Sequence, residues 1–245
     1  MNFNFSFVDD VLKKIPNEIY SSLVVFSIIL ILSLIIRAKA VRADPLAQPK
    51  GILLLAEMAV EKCDRFVGDN MGKIFVKKLS PYIGFCFVYV FMAFIISLFG
   101  FSSPMTYYVV PFSLALGTFV LIHATSIHYT KWKYFQRFVS PFPIFLPINL
   151  ISMWAPLISL SFRLFGNACA GWVLMELIYG VFQMISEAIF GGAFLPIAAI
   201  VTPALHAYFD VFSGFIQTMI FAYLTMLLIA SEVPEEIDVN AMKIE

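Results

Sequence analysis

Hydrophobic positions in this chain come in runs too long for the core of a soluble domain. Residues 19–36, IYSSLVVFSIILILSLII, carry no charged side chain. At 1.5 Å per residue such a run approaches the ~30 Å of a bilayer's hydrocarbon core. The pattern predicts a first membrane span there and two more at 81–100 and 106–127, separated by the short, turn-prone GFSSPMT. Two longer apolar segments follow at 143–190 and 195–230, divided by GGAFLP, where two glycines and a proline mark a turn. A helix continuous over 143–190 would measure ~70 Å, more than twice the hydrocarbon thickness, so it must tilt strongly or bend.

Residues 37–80 have a different character. RAKAVRADP is basic and turn-prone, and QPKGILLLAEMAVEKCDRF mixes apolar and charged residues at helical intervals. That periodicity predicts an amphipathic helix lying on a surface, with nothing else in the chain expected to pack on it outside the membrane. TKWKYFQRF is a basic, aromatic loop of the kind found at membrane interfaces. The predicted fold class is therefore an all-α polytopic membrane protein. It has about five crossing helices, a surface amphipathic helix and a long, strongly tilted C-terminal helical hairpin. As a single membrane domain it divides into an external N-terminus (1–18), span one (19–36), a cytoplasmic amphipathic segment (37–80), spans two and three (81–127), the hairpin (143–231) and a cytoplasmic tail (232–245).

Composition agrees: 61% of the 245 residues are hydrophobic and 13% charged. Formal net charge is zero, which gives no reason to expect a nucleic-acid partner, so the basic residues are informative by position. Nine Lys and Arg fall in 37–80, and Lys131, Lys133 and Arg137 fall in the next even-numbered loop, whereas the intervening loops hold none. By the positive-inside rule the basic loops are cytoplasmic, the N-terminus outside and the C-terminus inside. The opening MNFNFSFVDDVLKK puts acids before bases and lacks a signal-peptide pattern, so the first span is expected to be retained. Cys63, Cys86 and Cys169 are odd in number and widely spaced. They suggest neither a disulfide framework nor a metal site, and no cofactor is expected.

Within SLSFRLFGNACAG stands Arg163, the one permanently charged basic residue between Phe138 and Met242. An arginine at mid-membrane costs about 2.5–3.5 kcal/mol on insertion scales, so it is expected to face protein or water and to have a role. Snorkelling is the bland alternative, but Arg163 lies some twenty residues into its apolar segment. At 100° per residue, Asn149, Ser152, Ser159, Asn167 and Ala170 project within about 40° of Arg163, a stripe of small and polar residues that lets another helix come close. Glu176, Gln183 and Glu187 fall about 120–160° away, on a second polar face. In the last segment His206, Asp210, Ser213 and Gln217 follow at intervals of four, three and four. Such a ladder in apolar sequence suits a hydrated path or an interhelical hydrogen-bond network. Taken singly, Gln217 could bond a neighbouring helix and His206 could cap a buried carbonyl; together they favour ion translocation.

RLFGNACAG followed by DVFSGFIQTMIF resembles subunit a of F-type ATP synthase, the membrane stator beside the rotating c-ring. The likeness follows the topology of the whole chain, with its specificity in 149–231. It implies that Arg163 is the essential stator arginine, that Asn167 lines the same region, and that Gln217 faces the arginine from the last helix. Asp210 occupies a half-channel position that carries an acid or a histidine elsewhere in the family. The implied function is two aqueous half-channels coupling proton, or Na+, translocation to ring rotation and ATP synthesis or hydrolysis. The implied partners are the c-ring on the Arg163 face, peripheral-stalk b subunits, the remaining synthase subunits and lipid. The subunit itself is not catalytic, and its expected place is the bacterial plasma membrane or an organellar energy-transducing membrane.

The sequence departs from the family pattern at Trp172, where many relatives carry a glutamate or histidine; Trp cannot relay a proton, and Glu176, one turn on, is the expected replacement. Thr218 and Met219 also differ from the commoner residues after the glutamine. The alternative function is a secondary transporter or permease binding an anion at Arg163, which calls for inverted repeats that the chain does not display convincingly. An intramembrane enzyme lacks support, since HExxH, GxSxG and GxxxxGK[ST] are all absent.

Overall fold

The computed structural model describes residues 16–43, 48–132, 134, 142, 144, 146–191 and 196–234. Most of the N-terminal segment 1–18, Lys133 and Arg137 of the basic loop, positions 192–195 of the expected GGAFLP turn, and the tail beyond 234 lie outside them.

Helix α1, Asn17–Arg42, is apolar on all sides. Leu23, Phe26, Ile31 and Leu34 are exposed, while only Ser21 and Val25 are buried. It attaches to the rest through a 2.6 Å hydrogen bond between the hydroxyls of Ser22 and Tyr89. The helix continues through RAKAVR, which was expected to turn; arginine, lysine and alanine are all good helix formers, so nothing there stops it.

Helix α2, Ile52–Met71, and helix α3, Lys73–Ile95, meet at Gly72, whose φ of 90° is open to glycine and strained for other residues. The break at Gly72 corrects the expected boundary at 80, because residues 73–80 already belong to the second span's helix. The amphipathic helix also has partners. Val67 and Met71 are buried with Phe75, Leu79 and Ile83 of α3, and with Ile122, Met226 and Ile229 from later helices. The Ser80 hydroxyl donates to the Asp64 carboxylate across the same seam.

Helix α4, Val109–Thr130, follows two short 3-10 turns, Ile96–Phe99 and Pro104–Thr106. Helix α5, Leu146–Phe190, runs for 45 residues with Pro156 inside it, a length of ~68 Å. Helix α6, Pro196–His206, passes into a π-helical segment, Ala207–Ser213, and then into helix α7, Gly214–Ala230. Among the described residues, five helices are long and apolar enough to cross a membrane.

Apolar side chains fill the interior and also cover the exterior, as a lipid-facing surface requires. Leucines, isoleucines and phenylalanines cover the outside, while Ser80, Thr118, Ser126, Ser161 and Thr225 are buried. Between helices, hydrocarbon solvent supplies no hydrophobic drive, so close packing and hydrogen bonds hold the bundle. Tyr82 of α3 bonds Thr118 of α4 at 3.0 Å, and Thr118 reaches Thr225 of α7 at 3.3 Å, a polar chain through three helices. Helix α5 lays Leu157, Leu160, Ser161, Leu164 and Ala168 inward, with Ser161 meeting Tyr108 at 3.2 Å. The chain is thus an all-α polytopic membrane protein.

Candidate functional site

Arg163 sits on the outer surface of this bundle. Its side chain is exposed, as are Ser152, Ser159, Gly166 and Ala170, while Asn149 and Asn167 are half-buried. A Cβ added at Gly166 would meet nothing within 4 Å. The stripe of small and polar residues therefore forms an open strip beside the inward face. Among the described residues the guanidinium makes no ion pair or hydrogen bond. The acids of the two long segments are elsewhere: Glu187 accepts from Gln183 at 3.1 Å, and Asp210 is joined to His206. Glu176 is exposed and makes no polar contact among the described residues. It stands thirteen residues from Arg163, ~20 Å along the helix. Trp172 is exposed as well.

The returning helix runs antiparallel to α5, and two contacts fix its register. Ser213 donates to the Asn167 side-chain oxygen at 3.2 Å, and a Cβ on Gly171 would stand 3.8 Å from Phe209. Moving from the first pair to the second goes four residues forward on α5 and four back on the last helix. The same step in the other direction carries Gln217 to the level of Arg163. Gln217 is buried, 6% exposed, and its Nε2 has no hydrogen-bond partner among the described residues. An unpaired buried amide costs about 1–3 kcal/mol. Gly214 permits this depth, because a Cβ there would fall 2.6 Å from the Phe94 Cβ.

On the GGAFLP side of that level, His206 Nδ1 and Asp210 Oδ2 are 2.7 Å apart, and the Tyr179 hydroxyl lies 2.8 Å from His206 Nε2. The structure thus joins His206 to Asp210 and Ser213 to Asn167, but gives Glu176 no link to either pair. The ladder read at α-helical spacing runs through the π segment, so its members do not form one straight stripe. Such π segments often occur at functional sites. Two features escaped the sequence reading. Tyr179 stands three residues after Glu176 and four before Gln183, a spacing that could have placed it on that polar face. The π segment has no comparable signal in AYFDVFS.

Five apolar helices, with hydroxyl and amide groups turned inward and an arginine unpaired among the described residues at the surface of the longest, define a polytopic membrane protein whose C-terminal hairpin carries isolated charged and polar groups deep in apolar sequence. The chain belongs to the ATP synthase A chain family, whose sequence profile matches residues 19–230. It is 32% identical over 227 residues to the ATP synthase subunit a of Mycoplasma genitalium, covering 85% of this chain and 76% of that one. Identity to the Mycoplasma pneumoniae subunit is 33% over 228 residues with the same coverages. A sodium-ion-specific ATP synthase subunit a from Propionigenium modestum is 30% identical over 189 residues, 69% of this chain and 60% of its own.

Proposed function

We propose that this chain is the membrane stator of an F-type ATP synthase, forming two aqueous half-channels beside the c-ring and using Arg163 to couple ion passage to ring rotation. The observation that carries the reading is Arg163 itself: charged, unpaired among the described residues, and presented on an open strip of small side chains about seventeen residues into α5. A rotor carboxylate must be protonated to face lipid and ionised to release its proton. At 4 Å and an effective dielectric near 20, a guanidinium attracts that carboxylate by ~4 kcal/mol, equivalent to about three pKa units before desolvation. The same charge repels a proton crossing directly between half-channels, so ions travel by rotation.

In this reading the Arg163 strip faces the c-ring, Asn167 lines the same region and Gln217, level with Arg163, helps to orient it. His206 and Asp210 belong to the outer half-channel, with Ser213 between them and Gln217. Glu176 takes the role lost at Trp172; Asn149, Ser152, Ser159, Gln183 and Glu187 are secondary members of the polar faces. The subunit contacts the peripheral-stalk b subunits, catalyses no reaction and leaves ATP chemistry to the peripheral sector. At ~2.3 kcal/mol per charge per 100 mV, several ions must pass for each ATP. The bacterial relatives support a bacterial plasma membrane; the distribution of Lys and Arg along the chain, read by the positive-inside rule, puts the N-terminus outside and the C-terminus in the cytoplasm. Family membership favours this over a permease.

The test is substitution of Arg163. Arg163→Ala and Arg163→Gln are expected to abolish ATP-driven proton pumping in vesicles while the complex still assembles, since the side chain holds no partner among the described residues. Arg163→Lys is expected to fail largely too, because a compact ammonium lacks the planar reach of guanidinium. Coupled pumping by an assembled Arg163→Ala complex would overturn the reading.

A further inference from the structure

Pro156 lies inside α5, seven residues before Arg163. A proline there has no N–H to give the carbonyl four residues back, so the helix is weakened at that turn and can swivel about it. The direction in which Arg163 points is therefore set by contacts made after Pro156. Leu157, Leu160, Leu164 and Ala168 are buried there. Apolar contacts in lipid restrain rotation weakly, because hydrocarbon packs on such side chains as well as protein does. The directional contacts nearest Arg163 come from one residue of another segment. Tyr108, which immediately precedes α4, meets α5 at three positions flanking the arginine. Its hydroxyl is 3.2 Å from that of Ser161, and its ring centroid stands 5.2 Å from that of Phe162 and 5.4 Å from that of Phe165. Ser161 is fully buried and donates to the Ile158 carbonyl at 3.2 Å, which leaves its oxygen to accept from Tyr108. Phe112, one turn into α4, backs the Tyr108 ring at 5.7 Å.

We infer that Tyr108 is a positioning residue for Arg163: it grips the far side of α5, fixes the rotation of that helix and so aims the guanidinium at the rotor. The inference rests on the stator reading above and deepens it by giving a role to a residue outside the hairpin. At 100° per residue, Ser161, Phe162 and Phe165 lie about 100–160° round the helix from Arg163, so grip and guanidinium are on opposing sides. With side chains reaching about 5–6 Å from the helix axis, a rotation of about 10° moves the tip of Arg163 by about 1 Å, a displacement that can cost about 100-fold in rate. Each rotor carboxylate attracts the guanidinium as it passes. A helix free to turn would follow the carboxylate, whereas one held on its far side stays still while the ring moves.

The experiment uses the whole complex reconstituted in vesicles. Tyr108→Phe removes the hydroxyl and keeps the ring; it is expected to lower ATP-driven proton pumping about threefold, the scale of one interhelical hydrogen bond. Tyr108→Leu removes both and is expected to lower pumping by at least about tenfold in an assembled complex. Two readouts separate aiming from mere packing. With the ring held still by a non-hydrolysable ATP analogue on the catalytic sector, Tyr108→Leu vesicles should leak protons under an imposed potential and wild-type vesicles should not, since a displaced charge no longer bars direct passage. Tyr108→Phe combined with Ser161→Ala should lose no more than either change alone, because both delete the same bond. Wild-type pumping by Tyr108→Leu, absence of the leak, or additive losses in the double variant would each overturn the inference. If Tyr108→Leu does not assemble, the Tyr108→Phe and Ser161→Ala cycle decides by itself. If the Tyr108 variants behave as wild type while Arg163→Gln blocks coupling, positioning alone fails; if Arg163→Gln couples normally, the stator reading beneath it fails.

Discussion

Gly214→Ala tests whether the last helix owes its position to one missing methyl group. A Cβ at this site would stand 2.6 Å from the Cβ and 2.9 Å from the Cγ of Phe94, which is itself only 4% exposed and has little room to retreat. Ordinary carbon contacts are about 3.5–4.0 Å, so the helices must separate by about 1 Å. Overpacking of this kind costs about 1–3 kcal/mol, and alanine's helix preference over glycine returns about 1 kcal/mol. The net loss of about 0–2 kcal/mol leaves the chain folded. Function should suffer more. Ser213 and Gln217 flank this glycine on the same helix, and a 1 Å displacement of positioning groups can cost about 100-fold in rate. The expected result is an assembled complex with near-normal detergent stability and ATP-driven pumping reduced by at least tenfold. Gly180→Ala, where an added Cβ meets nothing within 4 Å, serves as the control for assembly and stability. Wild-type pumping by Gly214→Ala would refute the claim that close approach to Phe94 sets the level of Gln217.

Two further outcomes are expected. Glu176→Gln should slow proton flux strongly and Trp172→Phe only mildly, with Glu187→Gln as the comparison; equal, near-wild-type flux in both glutamine variants would return Glu176 to a peripheral role. Asp210→Cys, in a background lacking Cys63, Cys86 and Cys169, should react with membrane-impermeant thiol reagents or Ag+ from the outer side; labelling only from the cytoplasmic side would move Asp210 to the other half-channel.

Span-forming helices were legible because the hydrocarbon core imposes a length that any apolar run must meet, and this constraint acts along the chain. Arg163 was legible for a related reason: a permanent charge deep in an apolar segment is costly whatever surrounds it. Asn167, Asp210 and Gln217 emerged from helical spacing and from the resemblance carried by RLFGNACAG. The helix end at Gly72 was missed, because the amphipathic segment continues directly into an apolar one and only the backbone shows the φ of 90° between them.

What the chain alone determined, then, is the all-α membrane class, the two long C-terminal segments, and an arginine on a face of small residues. Tertiary structure decided how the polar residues pair. Tyr179 and His206 are 27 positions apart and Asn167 and Ser213 are 46 apart, so their contacts depend on hairpin register. The last helix is seated by Gly214 closing against Phe94 of α3, and the π segment offsets the α-helical ladder. Periodicity along one helix records which residues share a face, but says nothing of which residue on another helix meets them; that is why the contact of Tyr179 with His206 was not legible in the sequence.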